Sequence, residues 1–432
     1  MGPPTCDDPG VTTLTVSPPT APFEAEVAVP GDKSLSHRAL LLAAMATGES
    51  RIHGVGTGAD IAATRRVLDA LGAEFDGESV LGPGVAGWST PSAVLDCGNS
   101  GTTMRLMAGA LAGTHLRATI DGDASLRRRP MGRLASALAP LGARITTTGE
   151  GTPPLRVAGT DLHGAQITLG IASAQLRTAA ALAALQADGP TAIDSPPGYR
   201  DHTERWLVCL GLGEWGEGER FTVRPGVVPP FEVTIPGDPS TAAFLWAAAA
   251  LEAGSRVTTP DVSLNPGRTG FLDVLRLMGA SVEAEETGSV LGDPIGTVTV
   301  VGRDLQACRI DGGLAARSID ELPLAVVLGG KAAGTTVIAD ASELRVKESD
   351  RIASSVALVQ ALGGDAEATE DGVIVHGTGY RGGIATSAGD HRIAMAAAVA
   401  AAGATGPVQV EGIEAADVSW PGFIETMEGL WS

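Results

Sequence analysis

The sequence predicts an α/β protein of two domains, assembled from one helix-plus-strand unit used several times. Three observations carry this. A chain of 432 residues is long for a single domain. A Leu-Gly-Ala step, or a variant of it, recurs at Leu71-Gly72-Ala73, Leu141-Gly142-Ala143, Leu210-Gly211-Leu212, Met278-Gly279-Ala280 and Leu362-Gly363-Gly364. The stretch Val29-Pro30-Gly31-Asp32-Lys33-Ser34 returns as Ile235-Pro236-Gly237-Asp238-Pro239-Ser240.

The glycines of the recurring step lie 70, 69, 68 and 84 residues apart. One glycine closing a helix is ordinary C-terminal capping. Five at near-constant spacing argue for a repeated supersecondary unit. Each follows a helical apolar pattern, such as Ile352, Val356 and Val359. Each precedes strand-like residues, such as Val373-Ile374-Val375. The two Pro-Gly-Asp turns, near 29–32 and 235–240, read as crossings between domains. One domain is expected over 31–237, and the other joins 1–30 to 238–432.

Taken in order, the first informative stretch is a strand over Ala25–Val29, broken by Pro30-Gly31-Asp32. A helix follows, with Ser34 expected as its cap and the apolar run Ala39–Ala44 ending before Gly48. Lys33 and Arg38 stand at the start of that helix. Free backbone N–H groups and two cations at a helix start suit an anion, although a plain capped helix with solvated cations would look the same. It is not a Walker P-loop, which needs an earlier glycine at fixed spacing.

The pattern repeats. Asn99-Ser100-Gly101-Thr102-Thr103-Met104-Arg105 opens a helix running to Gly113. Asp123–Met131 sets Arg127, Arg128 and Arg129 before Pro130, expected to start a helix. Ser173-Ala174-Gln175-Leu176-Arg177, Arg200-Asp201-His202-Thr203-Glu204, Glu343–Arg351 and Asp390-His391-Arg392 are further polar or cationic helix starts. Each alone is an ordinary cap or a solvated basic turn. Together they predict several helix N-termini aimed into one cleft that takes a polyanion or two anions. Glu348, Asp320 and His391 would supply proton-transfer groups among the cations. Cations from both halves should repel and hold the cleft open until anions bind.

Composition excludes other classes. Thirty Lys and Arg stand against 50 Asp and Glu, a net charge of −20, which argues against nucleic acid or an anionic membrane as partner. No apolar run is long and uniform enough to span a bilayer. Residues 1–20 lack the basic and apolar regions of a signal peptide and read as a frayed tail. Cys6, Cys97, Cys209 and Cys308 form no CxxC pair, so free thiols in a reducing cytoplasm are expected. The seven histidines have no HExxH spacing and no Cys partners, so no metal site is expected. Gly82–Gly87 and Gly211–Gly216 both fit GxGxxG, but no helix pattern follows either, and both read as loops.

These motifs, in this order, resemble the 5-enolpyruvylshikimate-3-phosphate synthases, the 3-phosphoshikimate 1-carboxyvinyltransferases of the shikimate pathway. The likeness runs from about Val29 to the C-terminus. Its most specific pieces are Gly31-Asp32-Lys33-Ser34 with His37-Arg38, the Asn99–Arg105 stretch, Arg345–Arg351 and Asp390-His391-Arg392. Arg200–Glu204 looks like the signature of the family's glyphosate-tolerant class. The resemblance implies two domains of three βαβαββ units each, closing over the substrates. It implies that the 5-hydroxyl of shikimate 3-phosphate adds to C2 of phosphoenolpyruvate while C3 is protonated, after which the adduct eliminates phosphate. No cofactor is implied.

Carried over by motif, Lys33, Gly101, Arg129, Gln175, Lys347, Arg351 and Arg392 would meet phosphoenolpyruvate. Lys33, Ser34, Arg38, Ser173, Gln175, Arg200 and Asp320 would meet shikimate 3-phosphate. Asp320 is the implied base for the 5-hydroxyl, and Glu348 and Lys33 the proton-transfer partners at the enolpyruvyl carbon, with His391 beside them. A monomer inhibited by glyphosate at the phosphoenolpyruvate site is implied, and strongly tolerant relatives often carry Ala where Gly101 stands.

The chain also departs from the pattern. Val418-Ser419-Trp420-Pro421 lacks the lysine that many relatives have there, so the resemblance leaves that phosphoenolpyruvate contact either missing or supplied by Lys347. Arg177 replaces a usual Lys of the tolerant class, and Asn265-Pro266-Gly267-Arg268 replaces its Asn-x-Thr-Arg. Two alternatives remain at this stage. One is the sister transferase acting on UDP-N-acetylglucosamine, which typically has a cysteine in the loop matching Asp123–Met131, where this chain has none. The other is a non-catalytic anion-binding protein of the same fold.

Overall fold

The structure, a computed structural model, describes residues 12–431. Among these residues the strands form six small mixed sheets, five of four strands and one of three. The four-stranded sheets share one pattern: a parallel pair, then two antiparallel neighbours. In one of them Leu95–Asp96 runs parallel to Arg117–Asp121, which pairs antiparallel with Leu155–Ala158 and through it with Arg144–Thr146.

The five recurring glycines all take a left-handed backbone, with φ between 74° and 104°. That conformation is open to glycine at little cost, so it ends each helix and turns the chain into an antiparallel hairpin. The longest hairpin, Ser281–Val290 with Asp293–Val301, falls inside the 84-residue interval and explains much of its extra length.

Two strands are exchanged between the halves of the chain. Glu24–Glu26 runs parallel to Arg256–Ser263, and Glu232–Thr234 runs parallel to Thr47–His53. The chain therefore crosses at the two Pro-Gly-Asp turns, where Gly31 and Gly237 form an antiparallel bridge. Asp32 N donates to Pro236 O at 2.7 Å and Asp238 N to Pro30 O at 2.9 Å. A side chain at Gly31 would put Cβ 1.9 Å from Gly54 O, so only glycine fits this crossing.

Two hydrophobic cores result. One draws on residues between Leu35 and Ile235; the other on Leu14, Val16 and residues from Ala242 to Leu430. The Ala-rich helices are buried all round. Pro239–Leu251 has every residue buried, as does His391–Ala400. Small side chains let such helices touch along their backbones.

Several local expectations need correction. The first strand of the motif is Glu24–Glu26, not Ala25–Val29, because its partner strand bulges between Thr259 and Val262 and the ladder ends before it. Asp32, not Ser34, caps the Lys33–Met45 helix by accepting from Leu35 N at 2.9 Å. Pro130 lies outside its helix, which begins at Gly132, since Met131 N and Gly132 N are held by Gly151 O. Neither GxGxxG stretch is simply a loop: Gly82 lies in the strand Ser79–Pro83, and Gly213–Trp215 is itself a strand. Within the expected tail, Thr13–Val16 pairs with Val408–Glu411 and buries Leu14 and Val16. Cys97, Cys209 and Cys308 are free thiols; Cys6 lies outside the described residues. No described helix is long and apolar enough to cross a membrane.

Candidate active site

Lys33 is the first residue of its helix. Its backbone N–H donates to Asp238 Oδ2 at 3.0 Å and its Nζ lies 3.2 Å from Asp60 Oδ2. Ser34, inside the helix, accepts from Arg268 Nη1 at 3.1 Å. Arg38 is 4% exposed and each of its three nitrogens makes one protein contact: Nε donates to Thr203 Oγ1, Nη2 to Thr178 Oγ1 and Nη1 to Ser34 O, at 2.8–2.9 Å, which leaves a second N–H on each Nη. Burial pushes its pKa down to about 10. In this structure Arg38 ties the Lys33 helix to the helices Ala174–Ala184 and His202–Cys209 rather than facing open space.

Ser100 caps the helix Gly101–Ala112, so Gly101 is its first residue. Arg105 Nη1 donates to Gln175 Oε1 at 2.7 Å, and Gln175 Nε2 donates to Thr102 Oγ1 at 2.8 Å. Ser173 caps the helix that carries Gln175. Arg129 donates to Asn99 Oδ1 at 2.5 Å, lies 3.5 Å from Glu348 Oε1, and keeps a buried Nε with no partner.

Facing these groups is Asp320. Its carboxylate lies 2.6 Å from Arg200 Nη2, 3.4 Å from Lys347 Nζ and 3.5 Å from Arg351 Nη1, while Arg392 Nη1 donates to its backbone oxygen at 2.7 Å. Burial pushes this carboxyl up. The cations Lys347, Arg200, Arg392 and Arg351 overcome that and hold it well below the usual carboxylate range. Glu348, 2.6 Å from Arg351 Nη2, is likewise drawn down against its burial by Arg351 and Arg129. His391 differs. Burial, reinforced by Lys33, Arg351 and Arg392, pushes its imidazole down to about 3, and its Nε2 is buried without a partner. Near neutral pH His391 can exchange hydrogen bonds but is not a charged acid, which narrows its expected proton-transfer role.

The cleft between the cores is bridged by opposite charges: Arg200 to Asp320, Arg129 to Glu348, and Arg133 to Glu343 at 3.6 Å. Each of these three cations meets a carboxylate across the cleft, but Asp320 is shared by Arg200, Lys347 and Arg351, so attraction and the expected repulsion act together there. A cavity of about 250 Å³ lies between Ser125–Pro130 and Arg345–Asp350. A smaller one, about 20 Å³, is lined by Lys33, Ser240, His391, Arg392 and Ser419 among others. Ser419 stands in the turn that lacks a lysine. Lys33 and Arg392 share its pocket, whereas Lys347 lines the larger cavity.

Sequence reasoning gave no site role to Asp60, Asp390 or Arg268. Asp390 was visible as a cap, and it also grips Arg351 Nε at 2.8 Å. Asp60 gave no signal, since its partner Lys33 is distant in sequence. Arg177, which departs from the tolerant-class pattern, is fully buried, pairs with Glu204 and lies 4.0 Å over the Tyr199 ring, beneath the turn bearing Arg200. Among the described residues no group of three or more His, Cys, Asp or Glu could hold a metal ion.

A mixed α/β fold of two repeated halves, with helix N-termini and guanidinium groups meeting carboxylates in the cleft between them, is the enolpyruvyl transferase architecture. The family model described as EPSP synthase (3-phosphoshikimate 1-carboxyvinyltransferase) matches residues 18–427, and the chain belongs to that family. A 3-phosphoshikimate 1-carboxyvinyltransferase of Herpetosiphon aurantiacus is 44% identical over 407 residues, covering 92% of this chain and 94% of that protein. One from Roseiflexus castenholzii is 45% identical over 406 residues, covering 91% and 94%. A solved structure of EPSP synthase from Acinetobacter baumannii has a TM-score of 0.86 at 36% identity, covering 97% of this chain and 98% of that one.

Proposed function

We propose that this chain transfers the enolpyruvyl group of phosphoenolpyruvate to the 5-hydroxyl of shikimate 3-phosphate and releases phosphate. The observation that carries the reading is Asp320, an ionised carboxylate held between Arg200 of one core and Lys347, Arg351 and Arg392 of the other. An enclosed carboxylate among so many cations has little basicity while they stay on it. Two polyanionic substrates change that by drawing the cations to their phosphates and carboxylates. Asp320 then becomes basic enough to take the 5-hydroxyl proton as oxygen bonds to C2.

A proton from Glu348 or Lys33 goes to C3, giving a methyl group on the tetrahedral adduct. In the second step C3 returns that proton, the carbon–carbon double bond re-forms and phosphate leaves. Glu348 follows the same logic as Asp320, since an anion engaging Arg129 and Arg351 loosens their hold on its carboxylate. Fixed cations in a closed cleft stabilise the charge that gathers on phosphate.

Within this reading, Lys33, Gly101, Arg129, Gln175, Lys347, Arg351 and Arg392 serve phosphoenolpyruvate. Lys33, Ser34, Arg38, Ser173, Gln175, Arg200 and Asp320 serve shikimate 3-phosphate, Arg38 also tying their helices together. Residues 31–237 act as one closing body and 1–30 with 238–432 as the other. Glyphosate competes for the phosphoenolpyruvate site of a cytoplasmic monomer. Phosphate release with both substrates tests the function. Turnover that requires shikimate 3-phosphate supports it, and turnover only with UDP-N-acetylglucosamine, or none at all, overturns it.

A further inference from the structure

Arg268 is 4% exposed and lies outside the residues assigned to either substrate. Its Nη1 donates to Asp32 Oδ2 and Ser34 Oγ, both at 3.1 Å. Its Nη2 donates to Asp238 Oδ1 at 2.6 Å and Ser240 Oγ at 2.9 Å. The two arms thus make the same pair of contacts, an aspartate and the serine two residues later, on the two copies of the Pro-Gly-Asp turn. Those turns are where the chain crosses between the cores.

The contacts continue in both directions. Asp32 caps the helix that starts at Lys33, and Asp238 Oδ2 accepts the Lys33 backbone N–H at 3.0 Å. On the other side, Ser240 Oγ donates to Glu321 Oε1, and the same oxygen lies 3.2 Å from Arg392 Nη1. One buried guanidinium therefore joins the Lys33–Ser34 helix start to Arg392 through protein groups alone. Burial opposes its charge, but Asp32 and Asp238 outweigh this and keep it protonated.

We propose that Arg268 is a positioning residue. It pins both crossings to each other and sets where Lys33, Ser34 and Arg392 stand when the cleft closes on its anions. This rests on the proposed transferase reaction. A planar fork with donors in fixed directions can hold two carboxylates and two hydroxyls at once, which a lysine ammonium cannot. Small displacements of charge-bearing groups then weaken both substrate contacts together.

The test compares the parent enzyme with Arg268→Lys and Ser240→Ala, measuring KM, kcat, thermal midpoint and the affinity for shikimate 3-phosphate alone by calorimetry. Arg268→Lys should lower kcat/KM for both substrates about 10- to 100-fold, the size expected when a charge-assisted hydrogen bond is lost. It should also weaken binary shikimate 3-phosphate binding. Ser240→Ala cuts only the branch toward Glu321 and Arg392, so it should raise the phosphoenolpyruvate KM several-fold and leave binary shikimate 3-phosphate binding within twofold. A role confined to stability would instead lower the thermal midpoint and leave KM and affinity unchanged below it, and that result would overturn the proposal. If Arg268→Lys does not fold, equal effects of Ser240→Ala on both substrates would overturn it as well. A parent enzyme without turnover would refute the transferase reading itself, a separate outcome.

Discussion

Arg200 Nη2 and Asp320 Oδ2 lie 2.6 Å apart, and they come from different cores. This contact joins a helix start of one half, at His202, to the turn before Leu322 in the other. It is also one of the contacts that hold the Asp320 carboxyl below its usual range. Removing Arg200 should therefore do two things. Arg200→Ala should raise the shikimate 3-phosphate KM by losing a cation. It should also move the acid limb of the kcat/KM profile to higher pH, because Asp320 then needs less acid to be protonated. A pH–rate profile decides, and an acid limb that stays in place would remove Asp320 from the titration that controls the rate.

Arg129 and Arg392 each offer a guanidinium to the cleft from opposite sides. On the proposed assignment, replacing either by Ala removes a charge-assisted contact with the phosphoenolpyruvate anion, worth about 1.5–3 kcal/mol. The phosphoenolpyruvate KM should rise about 10- to 100-fold, with a fall in kcat. Arg129→Ala also frees Glu348, whose partner then is Arg351 at 2.6 Å. Kinetics matching the parent would mean that these side chains do not touch the substrate.

Closure is the third expectation. The three cleft pairs differ: Arg133 and Glu343 are more than 60% exposed and hold only weakly in salt, whereas Arg200–Asp320 and Arg129–Glu348 are mostly buried but involve groups that the substrates are proposed to engage. Two polyanions that bind both halves should favour the closed form much more strongly. Small-angle scattering should show a smaller radius of gyration with both substrates than without them. No change in radius would argue that the ligand-free protein is already closed in solution.

These contacts also mark what the sequence could and could not reveal. The Leu-Gly steps and the doubled Pro-Gly-Asp turn were readable because turn chemistry is local: a left-handed glycine and a capping aspartate announce themselves within a few residues. Helix starts such as Ser100, Ser173 and Asp390 were readable for the same reason. The strand exchange at Gly31 and Gly237 was visible only as a duplication. The pairing of charges was hidden. Arg268 reaches Asp32 over 236 residues, and Arg200 reaches Asp320 over 120. Nothing local distinguishes a cation that faces open cleft from one, like Arg38, whose three nitrogens each donate to a protein group. That is why a cleft lined with cations suggested repulsion, whereas its bridging cations face carboxylates.

Stability should fall in mild acid for an identifiable reason. His37 and His391 are buried, and burial pushes both imidazoles down to about 3 from the usual 6.5. In that interval the unfolded chain binds protons that the folded chain does not. Stability is therefore full above about 6.5 and declines as pH falls toward 3. Each imidazole contributes a slope of about 1.4 kcal/mol per pH unit within that window. His37 Nδ1 lies 2.7 Å from Thr64 Oγ1, and Gln can keep that hydrogen bond without titrating. Urea unfolding of His37→Gln between pH 7 and 5 should show a slope shallower than the parent by about 1 kcal/mol per unit on average, since the unfolded imidazole is only partly protonated in the upper part of that range. Equal slopes would place the His37 titration outside the window.

Gly101 gives the last prediction. It is the first residue of the Gly101–Ala112 helix and does not have a left-handed backbone, so nothing in its conformation demands glycine. Space is the constraint. A Cβ there would sit 2.8 Å from Arg105 Nη1, 3.4 Å from Arg129 Nη1 and 3.7 Å from Leu126 Cδ1. The closest neighbour is the end of a long side chain, which can move by a few tenths of an ångström. Arg129 is the proposed phosphoenolpyruvate ligand, so an added methyl borders that anion directly. On the proposed reading glyphosate competes for this site and, being the longer molecule, needs more of the same space. Gly101→Ala should therefore raise the glyphosate inhibition constant by a much larger factor than the phosphoenolpyruvate KM, and should shift the thermal midpoint little. The displaced Arg105 also holds Gln175 Oε1 at 2.7 Å, so a modest rise in KM is expected alongside. Steady-state inhibition kinetics of the single variant decide the matter. If inhibition constant and KM rise by equal factors, the methyl is disturbing Arg129 and Gln175 rather than crowding the inhibitor.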